Sequence, residues 1–469
     1  MSFRVLTLLK LVFIESKYEK QSLLAFLLKK PKKAPAMRLK TCFILAVSLA
    51  PPLHGLGQEI ATAFPLKWKA PIGQVSYRTQ PALVQGKLFV GSNGNHFNDY
   101  LLDSGNGVHV LDAKSGKSLG VLGTDTWGDL DVNGVLAVGD RIFFGNDNDE
   151  FLCYSAKDLK LLWRIPTSGD CEHAPTLLRR KDGDQVIVFA TEIGEIRAVR
   201  PSNGATVWVH YDRNFEGWKP GKTPFVYRVA SSFQTGTTFF DAPHVSDLTG
   251  DGVFDFVYFD FDAVSVISGQ TGTEILYKDN PPGVHYNNYS SPTVIQTPQG
   301  ACLFQSGTHF QKGTSFLART LLPSGKQLTP IELQKDTRLD AFPSPLAAQS
   351  GILLLNPNGN FRLHGSNNTS IPVGSRASET PSGQGFLGRD SFTYKGKPVL
   401  VHIQEYVYGS KLSRLTLLSG SDLSIVADYS LPTRCESKPH LLDVDADGHL
   451  ELLYGCSDGY LYCHEIPTP

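Results

Sequence analysis

The sequence predicts an all-β fold, an eight-bladed β-propeller of four-stranded antiparallel blades in which an N-terminal strand completes the last blade. Three observations carry that expectation. A single kind of unit recurs along the 469 residues, apolar and polar residues alternate with period two, and Gly (44) and Pro (29) punctuate the chain where helices would need long uninterrupted runs. Alternation bounded by Gly, Asn and Asp is the pattern of half-buried antiparallel strands joined by tight turns.

The unit opens with Pro or a polar turn and two short strands. Examples are QPALVQGKLFVGS (80–92), DLDVNGVLAVGDRIFFGND (129–147), HAPTLLRRKDGDQVIVFAT (173–191), DAPHVSDLTGDGVFDFVYFD (241–260) and KPHLLDVDADGHLELLYGC (438–456). It closes with a third strand, a Ser/Asn/Thr-Gly turn and a fourth strand, as in GVHVLDAKSGKSLGVL (107–122), EIRAVRPSNGATVWVH (195–210) and VSVISGQTGTEILYK (264–278). Eight openings after residue 57 give about 51 residues each, the size of a propeller blade with its loops. Seven blades with one decorated loop is the alternative count. The last unit lacks a fourth strand, and FPLKWKAPIG (64–73) resembles the Trp-bearing strands around Trp163 and Trp208, so it is expected to fill that place. Such closure hides strand edges that otherwise invite association, and a monomer is expected.

Residues 1–57 form a basic lead segment and signal peptide, with residues 58–469 as a single propeller domain. Arg38 and Lys40 precede the apolar run Cys42–Ala50, and Gly55 and Gly57 supply small residues before a cut at Gln58; Met37 is an alternative start. The apolar run is far shorter than the ~20 residues of a spanning helix, so no transmembrane span is expected. Removing 1–57 takes away ten of 44 basic but two of 45 acidic residues, leaving a net charge of −9. An acidic exported chain is not a nucleic-acid binder, and its expected place is the periplasm, the cell surface or the medium. Six cysteines remain, at 153, 171, 302, 435, 456 and 463, with no paired spacing that assigns a bridge.

Two loops alternate oxygen-bearing side chains around a Gly. In the first, Asp443, Asp445 and Asp447 precede Gly448 and Glu451 closes; in the second, Asp247, Thr249 and Asp251 precede Gly252 and Asp255 closes. Alternate residues of such a loop point inward, where hard oxygens can wrap one Ca²⁺, so structural calcium is expected at both. The competing reading is a turn rich in Asp that holds itself without an ion. Both loops lie between the first and second strands of a unit. A third copy, Arg180-Lys181-Asp182-Gly183-Asp184, falls in the equivalent turn but has Leu178 and Arg180 where ligands would be.

The closing halves resemble the PQQ-type repeat of quinoprotein-like propellers, carried by Gly107–Gly120, Asn148–Trp163 and Gly194–Trp208, and the two Asp loops resemble FG-GAP/VCBS calcium blades. The resemblance implies the fold and leaves activity open, because these propellers serve both as enzymes and as platforms. A quinone dehydrogenase of that family sets adjacent cysteines against the quinone; this sequence has no Cys-Cys pair, so pyrroloquinoline quinone is not expected. Residues near the unit openings, Arg78, His173, Asp241, His244, His285, Tyr286 and His440, form a candidate ligand site at a channel mouth, with Trp127, Asp129, Glu172, Asn287 and Glu436 beside them. No fixed spacing organises these histidines, and hydrogen bonding between loops is the plainer role. The expected function is a calcium-stabilised binding or scaffold module for a protein or carbohydrate; the alternative is an enzyme acting at the channel mouth.

Overall fold

The computed structural model describes residues 58–94, 105–125, 128–213, 244–259, 263–279, 284–286, 293–297, 299–309, 314–333, 351–355, 360–365, 370–375, 385–404, 412–420 and 424–467. All belong to one compact unit, Leu56–Pro469. The expected signal peptide, Trp127, Asp241 and Asn287 lie outside them, as do the side chains of His244, His285 and Tyr286.

The described residues form eight sheets, and one three-residue helical turn, Ile60–Thr62, is the helix among them. The first sheet runs Ala82–Val84, Lys87–Asn93, Asn106–Asp112 and Ser118–Leu122. The second runs Leu136–Val138, Arg141–Asn146, Glu150–Ser155 and Leu161–Pro166, and the third Thr176–Arg179, Gln185–Ala190, Glu195–Val199 and Thr206–Tyr211. The fourth is built of His244–Ser246, Asp255–Phe259, Ala263–Ile267 and Glu274–Asp279. Each is an antiparallel meander of neighbouring strands, as the repeat predicts. A five-stranded sheet (Val284–Leu333), a three-stranded one (Gly351–Ser375) and a seventh (Gly385–Ser430) follow in chain order.

The eighth sheet shows the expected closure. His440–Leu442, Glu451–Gly455 and Tyr460–Glu465 come from the end of the chain, and Leu66–Pro71 joins antiparallel as the fourth strand. One pairing was not foreseen: Gln58–Glu59 adds in parallel to Ile425–Ser430, the fourth strand of the seventh sheet.

Burial follows strand position. Second and third strands are buried along most of their length, as in Arg141–Asn146 and Glu150–Ser155, while fourth strands such as Leu66–Pro71 alternate between exposed and buried. A strand covered on both faces reads as a continuous apolar run, and an outer one keeps the period of two.

The seam between sheets is built from the Trp and the Gly of the repeat. Trp68, Trp163 and Trp208 each donate an indole N–H to a carbonyl in the turn of the following sheet: Ala113 (3.0 Å), Pro201 (3.1 Å) and Gly269 (3.0 Å). In those turns Gly116, Gly204 and Gly272 have φ of +70°, +71° and +72°, and a Cβ on any of them would lie within 2.9 Å of the same indole. The turn therefore needs Gly twice, for its backbone and for the ring pressed against it. After the fourth sheet, Leu276 takes the place of Trp under Gly325.

Candidate functional site

The two Asp-Gly loops share a backbone. Asp443 accepts the N–H groups of Asp447 (3.1 Å) and Gly448 (3.0 Å), and Asp247 accepts those of Asp251 (2.9 Å) and Gly252 (2.8 Å). Gly448 and Gly252 take φ of +88° and +84°. The side chains then diverge at the third position. Thr249 turns inward and, with the N–H groups of Leu248 and Thr249, donates to one oxygen of the fully buried Asp255 (2.9–3.2 Å); Gly269 N–H donates to the other at 3.3 Å. Burial raises the Asp255 pKa against the pull of these donors.

At the equivalent place Asp445 and Glu451 meet a cation from another part of the chain. Lys67, on the strand that closes the eighth sheet, lies 2.7 Å from Asp445 and 2.9 Å from Glu451. Burial alone would lower the Lys67 pKa, but hydrogen bonds to the two carboxylates carry it upward. The second Glu451 oxygen accepts Val444 N–H at 2.9 Å. Asp445 Oδ1 is buried without a hydrogen-bond partner, and one oxygen each of Asp443, Asp445 and Asp447 lie within 4.8 Å of one another. The third copy of the loop closes on ions of its own: Arg180 pairs with Asp182 (3.1 Å), and Lys181 reaches Asp251 at 3.3 Å.

The candidate mouth is a chain of polar contacts running from one sheet to the next. Ser76 Oγ donates to Asn133 Oδ1 (2.6 Å), and Asn133 Nδ2 donates to Glu172 Oε2 (2.8 Å). Arg78 completes it with an ion pair to the same Glu172 oxygen. Burial opposes the Arg78 charge and the neighbouring Glu172 charge stabilises it. His173 is buried, donates from Nδ1 to Ala174 O (3.0 Å), and is lowered to about 4 by burial, reinforced by Arg78. Arg78, Glu172 and His173 lie together, and His244, His285 and His440 fall on strands of the fourth, fifth and eighth sheets.

Sequence reasoning named Asp129 and Glu172 near the unit openings and the acidic run Asn146–Glu150 apart from them, and did not foresee that they converge beside this network. In four sheets a residue at the end of the second strand, or one or two past it, donates its backbone N–H to a carbonyl of the segment leading into that sheet. The pairs are Asn93 to Gln74 (2.9 Å), Asp147 to Asp131 (3.2 Å), Glu192 to Asp170 (2.9 Å) and Ser457 to Arg434 (2.8 Å). In the second and third of these both partners are acidic. One oxygen each of Asp129, Asp131 and Asp147 lie within 4.8 Å of one another. Burial, then the charges of Glu172, Asp170, Asp131 and Asp129, raise Asp147 well above the usual carboxylate range. Asp170 is raised in the same way by burial and then by Glu192, Glu172, Asp149 and Asp129. The sequence signal was present as acid pairs two residues apart, Asp129/Asp131 and Asp170/Glu172, each followed by an acid at the end of a second strand.

With this geometry in hand, known proteins add the following. Residues 66–250 match the repeat family described as outer membrane protein assembly factor BamB. The chain has the all-β fold of a propeller, and PQQ-like repeats are matched over residues 66–250. The yeast Sqt1 structure from Saccharomyces cerevisiae matches at 9% identity over 86% of this chain and 98% of its own, with a TM-score of 0.55. BamB from Moraxella catarrhalis matches at 12% identity over 86% of this chain and 99% of its own, at a TM-score of 0.48. Quinohemoprotein alcohol dehydrogenase from Comamonas testosteroni matches at 14% identity over 86% and 76%, also at 0.48. No curated protein sequence matches the chain. Likeness at these identities speaks to the fold and not to activity. Among the described residues no helix is long and apolar enough to cross a membrane, and the six cysteines at 153, 171, 302, 435, 456 and 463 are buried and unbridged.

Proposed function

We propose that the chain is an exported propeller that serves as a binding or scaffold module for a protein or carbohydrate partner, stabilised by calcium at the Asp443 loop. The observation that carries the reading is the state of the mouth: Ser76, Asn133, Glu172 and Arg78 bond to one another across sheets, which is the work of a scaffold holding its loops. Exposed apolar side chains recur on fourth strands, Leu119 and Val121 in the first sheet, Leu162 in the second and Val209 in the third, where a partner can bury them. Addition of Gln58–Glu59 to the fourth strand of the seventh sheet is an internal instance of strand addition at that edge, a recurring mode of peptide recognition. The family match points the same way, since it describes an assembly factor. Export, with a periplasmic or surface location, follows from residues 37–57.

Calcium fits the Asp443 loop on the strength of its donors. Asp445 Oδ1 has no partner, and each oxygen of Asp443 and Asp447 that accepts an N–H keeps a second lone pair. Asp443, Asp445 and Asp447 would hold the ion, which would supply cohesion to a loop already tied by Lys67 to the closing strand. In the Asp247 loop Thr249 and Asp255 use their oxygens on each other and on the backbone, which favours a turn that holds itself.

Two assays test the reading. Pyrroloquinoline quinone and calcium are added to the purified protein, then an alcohol or sugar and a redox dye; no dye reduction is expected, and substrate-dependent reduction overturns the scaffold assignment. Photocrosslinkers at Leu162 and Val209 in the native host should give a discrete adduct that crosslinkers at exposed Lys157 and Lys181 do not. Equal labelling at all four positions contradicts a partner surface on the fourth strands.

A further inference from the structure

Beside the mouth network, the carboxylates of the second sheet occupy a place that the scaffold reading does not use. Asp131, 7% exposed, accepts Asn106 Nδ2 on one oxygen (2.7 Å) and Asn93 Nδ2 on the other (3.1 Å). Asp129 Oδ1 accepts Asp131 N–H at 3.4 Å, and Asp147 N–H is held by Asp131 O, so all three carboxylates are fixed by the backbone register of the repeat. Three oxygens at this place are buried without a partner: Asp147 Oδ1 and the amide oxygens of Asn93 and Asn106. Those two Asn residues are 8% and 4% exposed, and their amide groups already touch Asp131. Buried oxygens left unpaired are costly.

We propose that Asp129, Asp131 and Asp147 form a binding site for a hard divalent cation of calcium size, separate from the Asp443 loop. Oxygens on opposite sides of a calcium ion stand about 4.6–5.2 Å apart, given bonds of about 2.3–2.6 Å. Carboxylate oxygens that all lie within 4.8 Å of one another match that sphere. The ion gives the unpartnered Asp147 oxygen a positive partner, while Arg78 serves Glu172. The amides of Asn93 and Asn106, held to Asp131 through their nitrogens, bring two further unpartnered oxygens to this place. A cation here ties the segment entering the second sheet to the end of that sheet's second strand, which stiffens the mouth from within.

The experiment is calorimetric titration of calcium chloride into the chelator-stripped full chain carrying Asp443→Ala, a background in which failure of the loop proposal cannot mask this one. One equivalent is expected to bind. Adding Asp147→Asn should weaken it by about tenfold or more, and Asp129→Asn provides the same readout if the first variant does not fold. Asp158→Asn, at an exposed carboxylate, should leave the affinity unchanged. The proposal is overturned if the Asp443→Ala protein binds no calcium, or if the folded Asp147→Asn or Asp129→Asn variant binds it as tightly as its parent.

Discussion

The loops Asp443–Glu451 and Asp247–Asp255 have the same glycine, the same Asp-to-backbone bonds and the same place in the repeat, yet their charge is balanced by different means. In one, a threonine and three backbone N–H groups surround the buried closing carboxylate, and the cation nearby, Lys181, reaches Asp251 from a neighbouring turn. In the other, aspartate replaces threonine, a lysine arrives from the closing strand, and one carboxylate oxygen is left over. A motif with fixed spacing therefore sets the backbone of the turn, whereas its third residue decides whether the turn needs a positive charge.

That contrast can be broken most sharply at the lysines. Lys67→Met leaves Asp445 and Glu451 together without their ammonium, and in chelator it should cost about 3 kcal/mol or more by denaturant unfolding, with part of the loss restored by calcium. Lys181→Met, at the exposed contact to Asp251, should cost less than about 1 kcal/mol. Equal losses at the two sites would mean that Lys67 is not a clasp. Thr249→Asp makes the second loop resemble the first: it should cost about 2 kcal/mol in chelator, through loss of a bond to buried Asp255, and the melting temperature should become newly sensitive to calcium. Gly252→Ala and Gly448→Ala meet no atom within 4 Å and differ from glycine in φ alone. Each should cost about 1 kcal/mol, and a clear inequality would show that the backbones are not equivalent.

The smallest effect is one of pH at the closure itself. His464 Nδ1–H donates to Phe64 O (2.8 Å), so Nε2 accepts from the Tyr454 hydroxyl (2.9 Å), and protonation would force that bond to reverse inside a buried site. Burial holds its pKa below the ordinary 6.5. As pH falls below 6.5 the unfolded chain takes up a proton that the native chain resists, so stability linked to His464 is full above that value and declines beneath it. The decline in melting temperature between pH 7.5 and 5.5 should be shallower in His464→Gln; an unchanged slope would remove His464 from the closure.

Much of the fold was legible because the repeat writes it locally. The turn glycines, the alternating strands and Trp68 in the N-terminal strand each have their signal within a few residues. What pairs across the repeat was not legible. Nothing near Glu451 announces Lys67, which is 384 residues away in the chain, and the two-residue addition of Gln58–Glu59 is too short to carry a period. The turn glycines are readable from φ, but the indole of the preceding sheet resting on them is a contact that only folding supplies. His173, His244, His285 and His440 recur near the unit openings, so the repeat spreads them over several sheets, and spacing along the chain says nothing of how near their side chains come. Acid pairs such as Asp129/Asp131 and Asp170/Glu172 were visible as spacing, while their convergence depends on the register between a sheet and the segment entering it.

The most direct test of this account is the number of calcium ions bound by wild type, Asp247→Ala and Asp443→Ala in parallel titrations of the stripped protein. The account predicts that Asp247→Ala keeps the wild-type stoichiometry and that Asp443→Ala binds one ion fewer. Loss of an ion with Asp247→Ala, or none with Asp443→Ala, would contradict it.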